Sequence, residues 1–533
     1  MKAKLFLSLS FTVVSFCLNA QNWLWAQSGG SSIGSEIAWG VTVDNQGNSY
    51  ATGQFFSTCT FGSFTLTSAG AEDIFIVKYD ASGNVSWAKG IGSNSSDYTS
   101  RIAVDTVGNI YVEGIFNNTV NFGNTSLTCS GWNDIFVAKY DTNGNEIWVR
   151  QGGGSDYFEY AADIAVDNNA NVYATGSFSS VSADFGSTHM INSSSAVHLS
   201  DIFIIKYDPN GNILWTIHPT GLGSEAVSRL SIDSNGDIYV LASFNNTINF
   251  GGTTYTSFGS NDMILMKYDA AGSFIFAKQM GGVNMDLPYG LALDQSNNIY
   301  LTGGFSGTST FGSNILTTVG IYNELVLAKL DPSGNDLWIK QIAATTNCVG
   351  IAVETDSNNN VFVACDFYGT TNFGATNMIS LGSEDIFIGK YDPNGTEQWA
   401  IQAGGTDFDE IRDMAIDQNG FIYGSGRFRS TASFGSTNLT CAGNEDAWTA
   451  KLQGPSTLAT NSMESSNSTI EIFPNPVNNQ LHFSTYLEEF TISNNIGQVI
   501  LKSQGNSIST ENFNNGIYFI KTQESCLKFI VKH

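Results

Sequence analysis

The sequence predicts an all-β chain: a seven-bladed β-propeller closed by an N-terminal strand, followed by a small C-terminal β-sandwich. Three observations carry this reading. The stretch "DIFIVKYDASGNVSWAKG" at 73–90 returns with small changes as far as residue 451. Its leading acid recurs at Asp73, Asp134, Asp201, Asp262, Glu324, Asp385 and Asp446, in steps of 61, 67, 61, 62, 61 and 61 residues, and a fixed period of that length marks a repeat architecture. Within each copy the apolar pattern has period two and is broken by Asp-x-x-Gly-Asn turns, as in "IAVDTVGNIYVEGIF" at 102–116.

Taken in order, residues 1–20 (MKAK, then an apolar run from Leu5 to Leu18, then Asn19-Ala20) have the layout of a secretory signal peptide. Residues 21–453 hold the repeats, with four strands in each. Strand A ends at Asp44, Asp105, Asp167, Asp233, Asp294, Asp356 or Asp417, strand B follows the turn, strand C is the "DIFIVKYD" segment, and strand D carries an aromatic. Repeat six reads as holding two extra residues, Glu354 and Thr355, in a bulge. The strand D aromatic occurs at Trp25, Trp87, Trp148, Trp215, Phe276, Trp338 and Trp399, so one copy precedes the first repeat and none follows Lys451. "NWLWAQ" therefore supplies the missing strand of the seventh blade, and a radial closed array leaves only short, protected edges.

Residues 454–469 are Ser-, Thr- and Asn-rich without apolar periodicity and read as a linker. In 470–533 the pattern changes to "IEIFPNPVNNQLHF", "FTISNNIGQVI", "FNNGIYFIKT" and "CLKFIVKH", strands of a small sandwich punctuated by Pro and Asn-Gly.

Composition bounds the function classes. Charged residues are 13% of the chain against roughly 25% in an average soluble domain, and the formal net charge of -26 excludes nucleic acid as a partner. No segment after the leader reaches the ~18 apolar residues of a membrane helix. The six cysteines beyond the leader form no CxxC pair; Cys348 and Cys365 flank one hairpin, and both a bridge and two free thiols fit their spacing.

The repeats resemble the bacterial SBBP propeller repeats through "IAVD..GNIYVTG.F...FG......G..DIF..KYD..GN..W", over about residues 22 to 452. The C-terminal segment is similar to the type A sorting domain of the type IX secretion system of Bacteroidota. Phe473, Pro474, Asn475, Pro476, Gly497, Gly516, Tyr518 and Lys528 stand where that family's motifs stand, with Asn494 where an Asp is common. That resemblance implies export through the periplasm, the secretion machinery and its sortase as partners, and a secreted or surface-attached product. The repeat resemblance specifies fold and not activity.

Two sets of repeated residues invite a functional reading. An acid stands eight residues before the strand A aspartate at Glu36, Asp97, Glu159, Glu225, Asp286 and Asp409, with Cys348 in its place in repeat six. With strand A innermost, these would ring the channel mouth and present oxygens to Ca²⁺ or to a cationic ligand; the other reading is that each caps its own loop. A lysine recurs at Lys78, Lys139, Lys206, Lys267, Lys329, Lys390 and Lys451, and seven equivalent lysines point to a structural role, stem over apolar neighbours and head on a turn aspartate of the same blade. Histidines 189, 198 and 218 gather near blade three without the ligand spacing of a zinc site. Tyr98, Tyr157, Phe158 and Phe408 lie in the D-to-A loops, where aromatics either stack on a ligand or pack between blades.

The long B-to-C and D-to-A connections share one face, which is the expected functional side. No nucleophile elbow, phosphate loop or HExxH is present. The expectation is a secreted, non-enzymatic binding module for a glycan, peptide or protein, without a cofactor. The alternatives are a polysaccharide- or peptide-degrading enzyme, told apart by a focused cluster of acids or histidines in one loop group, and a structural adhesin or spacer, told apart by having no saturable ligand.

Overall fold

The computed structural model describes residues 22–194, 199–454, 472–494, 499–522 and 526–533. The expected leader, the linker after residue 454, His198 and Gly497 lie outside the described residues. The described residues fall into two compact units on either side of that linker, 22–454 and 472–533, and all regular structure in them is β.

In the first unit, hydrogen bonds join four antiparallel strands within each repeat. The first holds Ile37–Val43, Ser49–Phe61, Phe64–Tyr79 and Val85–Ile91; the second holds Tyr98–Val104, Ile110–Phe116, Asp134–Tyr140 and Glu146–Gly153. The third, fourth, fifth and sixth repeats follow the same order. The last repeat supplies Asp409–Ile416, Phe421–Phe428 and Asp446–Gln453, and its fourth strand is the N-terminal Asn22–Gly30, in which Trp25 lies opposite Lys451. Each A strand packs against the A strands of its two neighbours, and that of the last repeat packs against that of the first, so the A strands line a closed ring. The fold is a β-propeller.

The local sequence accounts for these strands. Each turn aspartate accepts bonds from the backbone of its own turn and, where the turn ends in Asn, from that side chain: Asp105 Oδ1 accepts from Val107 N (3.1 Å) and Asn109 N (2.8 Å), while Oδ2 accepts from Asn109 Nδ2 and Tyr111 Oη. Turn chemistry of this kind, with Gly108 at φ 89°, is the Asx geometry that the Asp-x-x-Gly-Asn pattern predicts. The C strands are packed on both faces, and in Asp201–Tyr207 every residue is buried. Apolar side chains of adjacent repeats form one shared core at each junction, such as Tyr111, Ile135 and Trp148 with Ile164, Val172 and Phe203.

Two expectations are corrected. The B-to-C connections are largely not loops: they form short hairpins such as Ser182–Phe185 with Thr188–Ile191, whose Phe185 is buried and whose Gly186 turns at φ 58°. These hairpins also pair with the preceding repeat, as Gly152 with Phe185 and Gly29 with Phe61. A Cβ on Gly29 or Gly152 would overlap the phenylalanine ring, so the contact requires glycine there. Repeat six holds no insertion: Thr355 pairs with Val361 as Ile416 pairs with Ile422, and Glu354 stands where the last repeat has Ala415. "IAVETD" imitates "IAVD" with two residues added, but the register is that of its neighbours. The bulge exists in every repeat, at Trp39, Ser100, Ala162, Ser228, Tyr289, Ile351 and Arg412.

In the C-terminal unit, Gln480–Asn494 pairs with Ile472–Phe473, Val499–Ser509 and Gly516–Lys521, and the last of these pairs with Cys526–Val531. Leu481, Phe483, Phe490, Ile492, Tyr518, Ile520 and Phe529 form its core. Asn475 of the Phe-Pro-Asn-Pro motif donates to Lys528 O (3.1 Å) and accepts from Ile530 N (2.9 Å), which ties two of the sorting motifs together.

Trp25 is buried, stacks on Tyr79 of the first repeat at 5.8 Å and approaches Tyr423 of the last at 6.3 Å. Trp25→Ala should therefore cost about 3–5 kcal/mol, the usual loss for a buried Trp, and visibly lower the melting temperature of the first unit. An unchanged melting curve would refute the packing role assigned to it.

Candidate functional site

The repeated lysine serves the framework. Lys139 lies 5.1 Å from the centre of the Tyr111 ring and donates to Pro209 O of the next repeat (3.4 Å); Trp148 Nε1 donates to the same carbonyl at 3.0 Å. Lys78, Lys206 and Lys329 repeat this arrangement, and Lys451 repeats the lysine part of it, resting over Tyr423 and crossing from the last repeat to Ala81 O of the first (3.4 Å). Own-blade turn carboxylates, the expected partners, are met by Lys267 at Asp237 (3.1 Å), by Lys329 at Asp294 (3.8 Å) and by Lys390 at Asp356 (3.6 Å). The commoner partners are an aromatic face and the neighbour's turn.

The six acids are buried rather than open to solvent. Glu36, Asp97, Glu159, Glu225, Asp286 and Asp409 are each 0% exposed. Most accept bonds from their own loops: Glu36 from Ser31 N (3.0 Å), Asp97 from Ser93 N (2.6 Å), Glu159 from Gly154 N (3.2 Å), Asp286 from Gly282 N (2.7 Å) and Asp409 from Gly405 N (2.6 Å). Each lies beside the C-strand acid of the preceding repeat, for example Glu225 beside Asp201. Burial pushes these carboxyls up, Asp286 to about 6, Glu36 and Asp409 to about 7, Glu159 to about 8 and Glu225 to about 9. Cys348, in the acid's place in repeat six, is a buried free thiol whose Sγ lies 3.0 Å from that of Cys365.

Of the histidines, His189 pairs with Asp184 (2.6 Å) on an outer hairpin and His218 with Asp201 (2.9 Å). They serve different carboxylates, and among the described residues no group of three or more His, Cys, Asp or Glu side chains could hold a metal ion.

What breaks the repeat is the residue that follows the bulge. At the equivalent position the seven A strands carry Gly40, Arg101, Asp163, Arg229, Gly290, Ala352 and Asp413. The charged members meet across the ring: Arg229 Nη2 lies 3.2 Å from Asp413 Oδ1 and Arg101 Nε 3.9 Å from the same oxygen. Arg101 also donates to Trp39 O, and Asp163 accepts from Leu230 N (2.7 Å). Glu354, where other repeats have small residues, faces this layer; burial and then Asp413 raise it to about 8 against the pull of Arg229. A cavity of about 260 Å³ lies on the turn side of the layer, lined by Arg101, Asp163, Arg229, Glu354 and Asp413 among others.

On the loop side a larger hollow of about 780 Å³ opens at the mouth. Trp39, Tyr98 and Tyr160 line it together with Gln54, Thr99, Ser100, Ser177, Ser179, Ser200 and Ser224, and Arg101 is its single charged lining residue. Trp39 donates to Gln54 Oε1 (3.0 Å), and the Arg412 guanidinium stacks over its ring at 4.9 Å. Beside it, Arg427 bridges Glu410 (2.7 Å) and Glu445 (2.9 Å), and Arg427 and Arg429 both stack on Phe408. Of the aromatics singled out in the D-to-A loops, Tyr98 lines the hollow, Phe158 extends it, and Phe408 is covered by arginines.

Residues 87–114 match the β-propeller repeat family, and residues 471–532 match the secretion system C-terminal sorting domain. The chain is a β-propeller that carries an export tail. The sorting domain places it outside the cell, secreted or attached to the surface, and among the described residues no helix is long and apolar enough to cross a membrane. An uncharacterised WD repeat-containing protein of Acanthamoeba polyphaga mimivirus is 25% identical over 450 residues, 69% of this propeller chain and 32% of that protein. The regulatory protein FlaEY of Caulobacter vibrioides is 30% identical over 130 residues, 24% of this chain and 14% of that one. The chain thus spans a third or less of the length of these relatives. Solved structures similar in fold include a quinohemoprotein alcohol dehydrogenase from Comamonas testosteroni (11% identity, TM-score 0.38, covering 86% of this chain and 79% of that one). A family PL25 ulvan lyase is another (10% identity, TM-score 0.41, covering 76% and 93%).

The buried acids set a pH dependence. Their pKa values in the folded propeller lie above the ordinary carboxyl value near 4, so the folded state binds protons that the unfolded chain has released. Their contribution is fully present below about pH 4 and is lost as pH rises through the 6–9 range. Thermal melts should therefore show higher stability at pH 5 than at pH 9, and the opposite order would contradict the burial assigned to these carboxyls.

Proposed function

We propose that this exported propeller is a non-enzymatic binding module whose ligand enters the hollow on the loop-bearing face of the channel. One observation supports the reading above others: the hollow presents three aromatic side chains and a set of side-chain hydroxyls, with Arg101 as the only charged residue lining it. Aromatic walls with a few polar groups to fix orientation are the usual make-up of a ligand pocket. No carboxylate or histidine is among its lining residues, so a mechanism built on a carboxylate pair or a histidine has no groups within it. The channel charges behind Arg101 are engaged with one another, which leaves the mouth as the open surface.

The test is saturable binding of a soluble glycan or peptide from an array by the full-length protein, with Tyr98→Ala weakening it and the ligand recovered intact. Loss of ligand mass through cleavage would instead favour the degrading-enzyme alternative. Absence of any saturable ligand would favour the spacer.

A further inference from the structure

Resting on that reading, we infer that the hollow and the aromatic surface beside it form an extended site for a neutral polysaccharide chain, crossing the junction between the second and third repeats. The surface begins at the rim. Trp132, Phe158 and Tyr160 are 57%, 39% and 50% exposed. The Trp132 and Phe158 rings meet edge to face at 4.7 Å, Phe158 lies 6.4 Å from Tyr160, and Tyr160 also lines the hollow. The three rings therefore lead without a gap from the outer loops into the mouth, toward Tyr98 and Trp39.

Repeat symmetry shows that this run is not framework. The positions of Trp132, Phe158 and Tyr160 are occupied at the preceding junction by Ala71, Ser96 and Tyr98, and at the following one by Leu199, Ser224 and Ala226. The next two junctions have Ser260, Met285 and Leu287, then Tyr322, Asn347 and Val349; the last two have Ser383, Phe408 and Glu410, then Asn444, Ser35 and Ile37. Only one junction of seven carries an aromatic at all three positions, so inter-blade packing does not require them. Holding them largely exposed forgoes the burial that large aromatics otherwise contribute, which points to a partner that covers them.

The chemistry of the lining narrows the partner. Pyranose rings offer apolar C–H faces that stack on aromatics and equatorial hydroxyls that both donate and accept. Ser179 and Ser224 supply partly exposed hydroxyls of the same double capacity, Ser224 while bonded to the buried Ser200 (2.9 Å), and Gln54 supplies an amide whose Oε1 accepts from Trp39. A polyanion would find Arg101 as the one guanidinium lining the hollow, 3.9 Å from Asp413, and the neighbouring Arg412, Arg427 and Arg429 already paired with Glu410 and Glu445, on a chain of net charge -26. A polycation would find no carboxylate among the lining residues. A proline-rich peptide could also stack on the rings, but its backbone carbonyls would meet few of these hydroxyls as partners.

The experiment is a titration of the full-length protein with laminarin, hydroxyethylcellulose, xyloglucan and galactomannan, followed by tryptophan fluorescence and calorimetry, with polygalacturonate, chitosan and a polyproline peptide in parallel. The expected result is binding of at least one neutral polysaccharide that weakens roughly tenfold on Trp132→Ala and on Tyr160→Ala, the scale of one lost stacking contact. Tyr322→Ala, which removes a 49% exposed aromatic at another junction, should leave affinity unchanged, and all three variants should melt as the parent does. Binding of a charged polymer or the peptide, with the same dependence on Trp132 and no neutral polysaccharide bound, would overturn the ligand class while leaving the binding-module reading intact. Neutral-chain binding indifferent to Trp132 and Tyr160 would overturn the site. No saturable binding by any probe would overturn both.

Discussion

The hydrogen-bonded pairing of Asn22–Gly30 with Asp446–Gln453 is the constraint on which the rest of the first unit depends. A radial array of sheets gains stability by burying both faces of each sheet, and an open ring would leave one sheet with an exposed face and an unpaired edge. The N-terminal strand removes both. It completes the last sheet through Trp25 opposite Lys451, places Trp25 against Tyr79 of the first repeat, and lets Gly29 pair with Phe61. The cross-ring ion pairs follow from closure, because Arg229 and Asp413 are 184 residues apart and meet only when the A strands form a ring.

The repeat uses its polar residues mainly to lock neighbour to neighbour. In several repeats lysine and tryptophan donate to a turn carbonyl of the next, and in most a buried loop carboxyl accepts backbone N–H groups that the loop leaves over. Such groups are costly to bury unpaired, which explains why they recur with the framework rather than at one place. Function is accordingly to be sought where the repeat departs from itself: the charged layer in the channel, the arginines of the last repeat, and the aromatic run between the second and third repeats.

Much of the fold was legible from counting. The period, the turn chemistry and the displaced Trp25 specify the strands and the closing partner, because each rests on local pattern that tertiary packing then keeps. The hairpins in the B-to-C connections were signalled by the recurring Phe-Gly, whose buried ring and positive-φ glycine need the structure to be recognised as one device. The site was less legible. The sequence shows Arg101, Asp163, Arg229 and Asp413 four residues before their turn aspartates, but their inward direction depends on a bulge common to all repeats, and period-two patterning does not reveal a bulge. Glu354 imitates an insertion in the sequence because a charge at a small-residue position looks like a shifted register. The signal of Trp132 lies between junctions rather than within one repeat, since no other junction has an aromatic at all three equivalent positions.

Hydrogen–deuterium exchange on the strand Asp446–Gln453, in the full chain and in the same chain lacking residues 22–30, tests ring closure most directly. If the N-terminal strand completes the last sheet, its removal leaves the amides facing it unpaired, and those of Lys451, Thr449 and Ala447 exchange orders of magnitude faster while the third and fourth repeats keep their protection. Equal protection of Asp446–Gln453 in both proteins would contradict the closed ring.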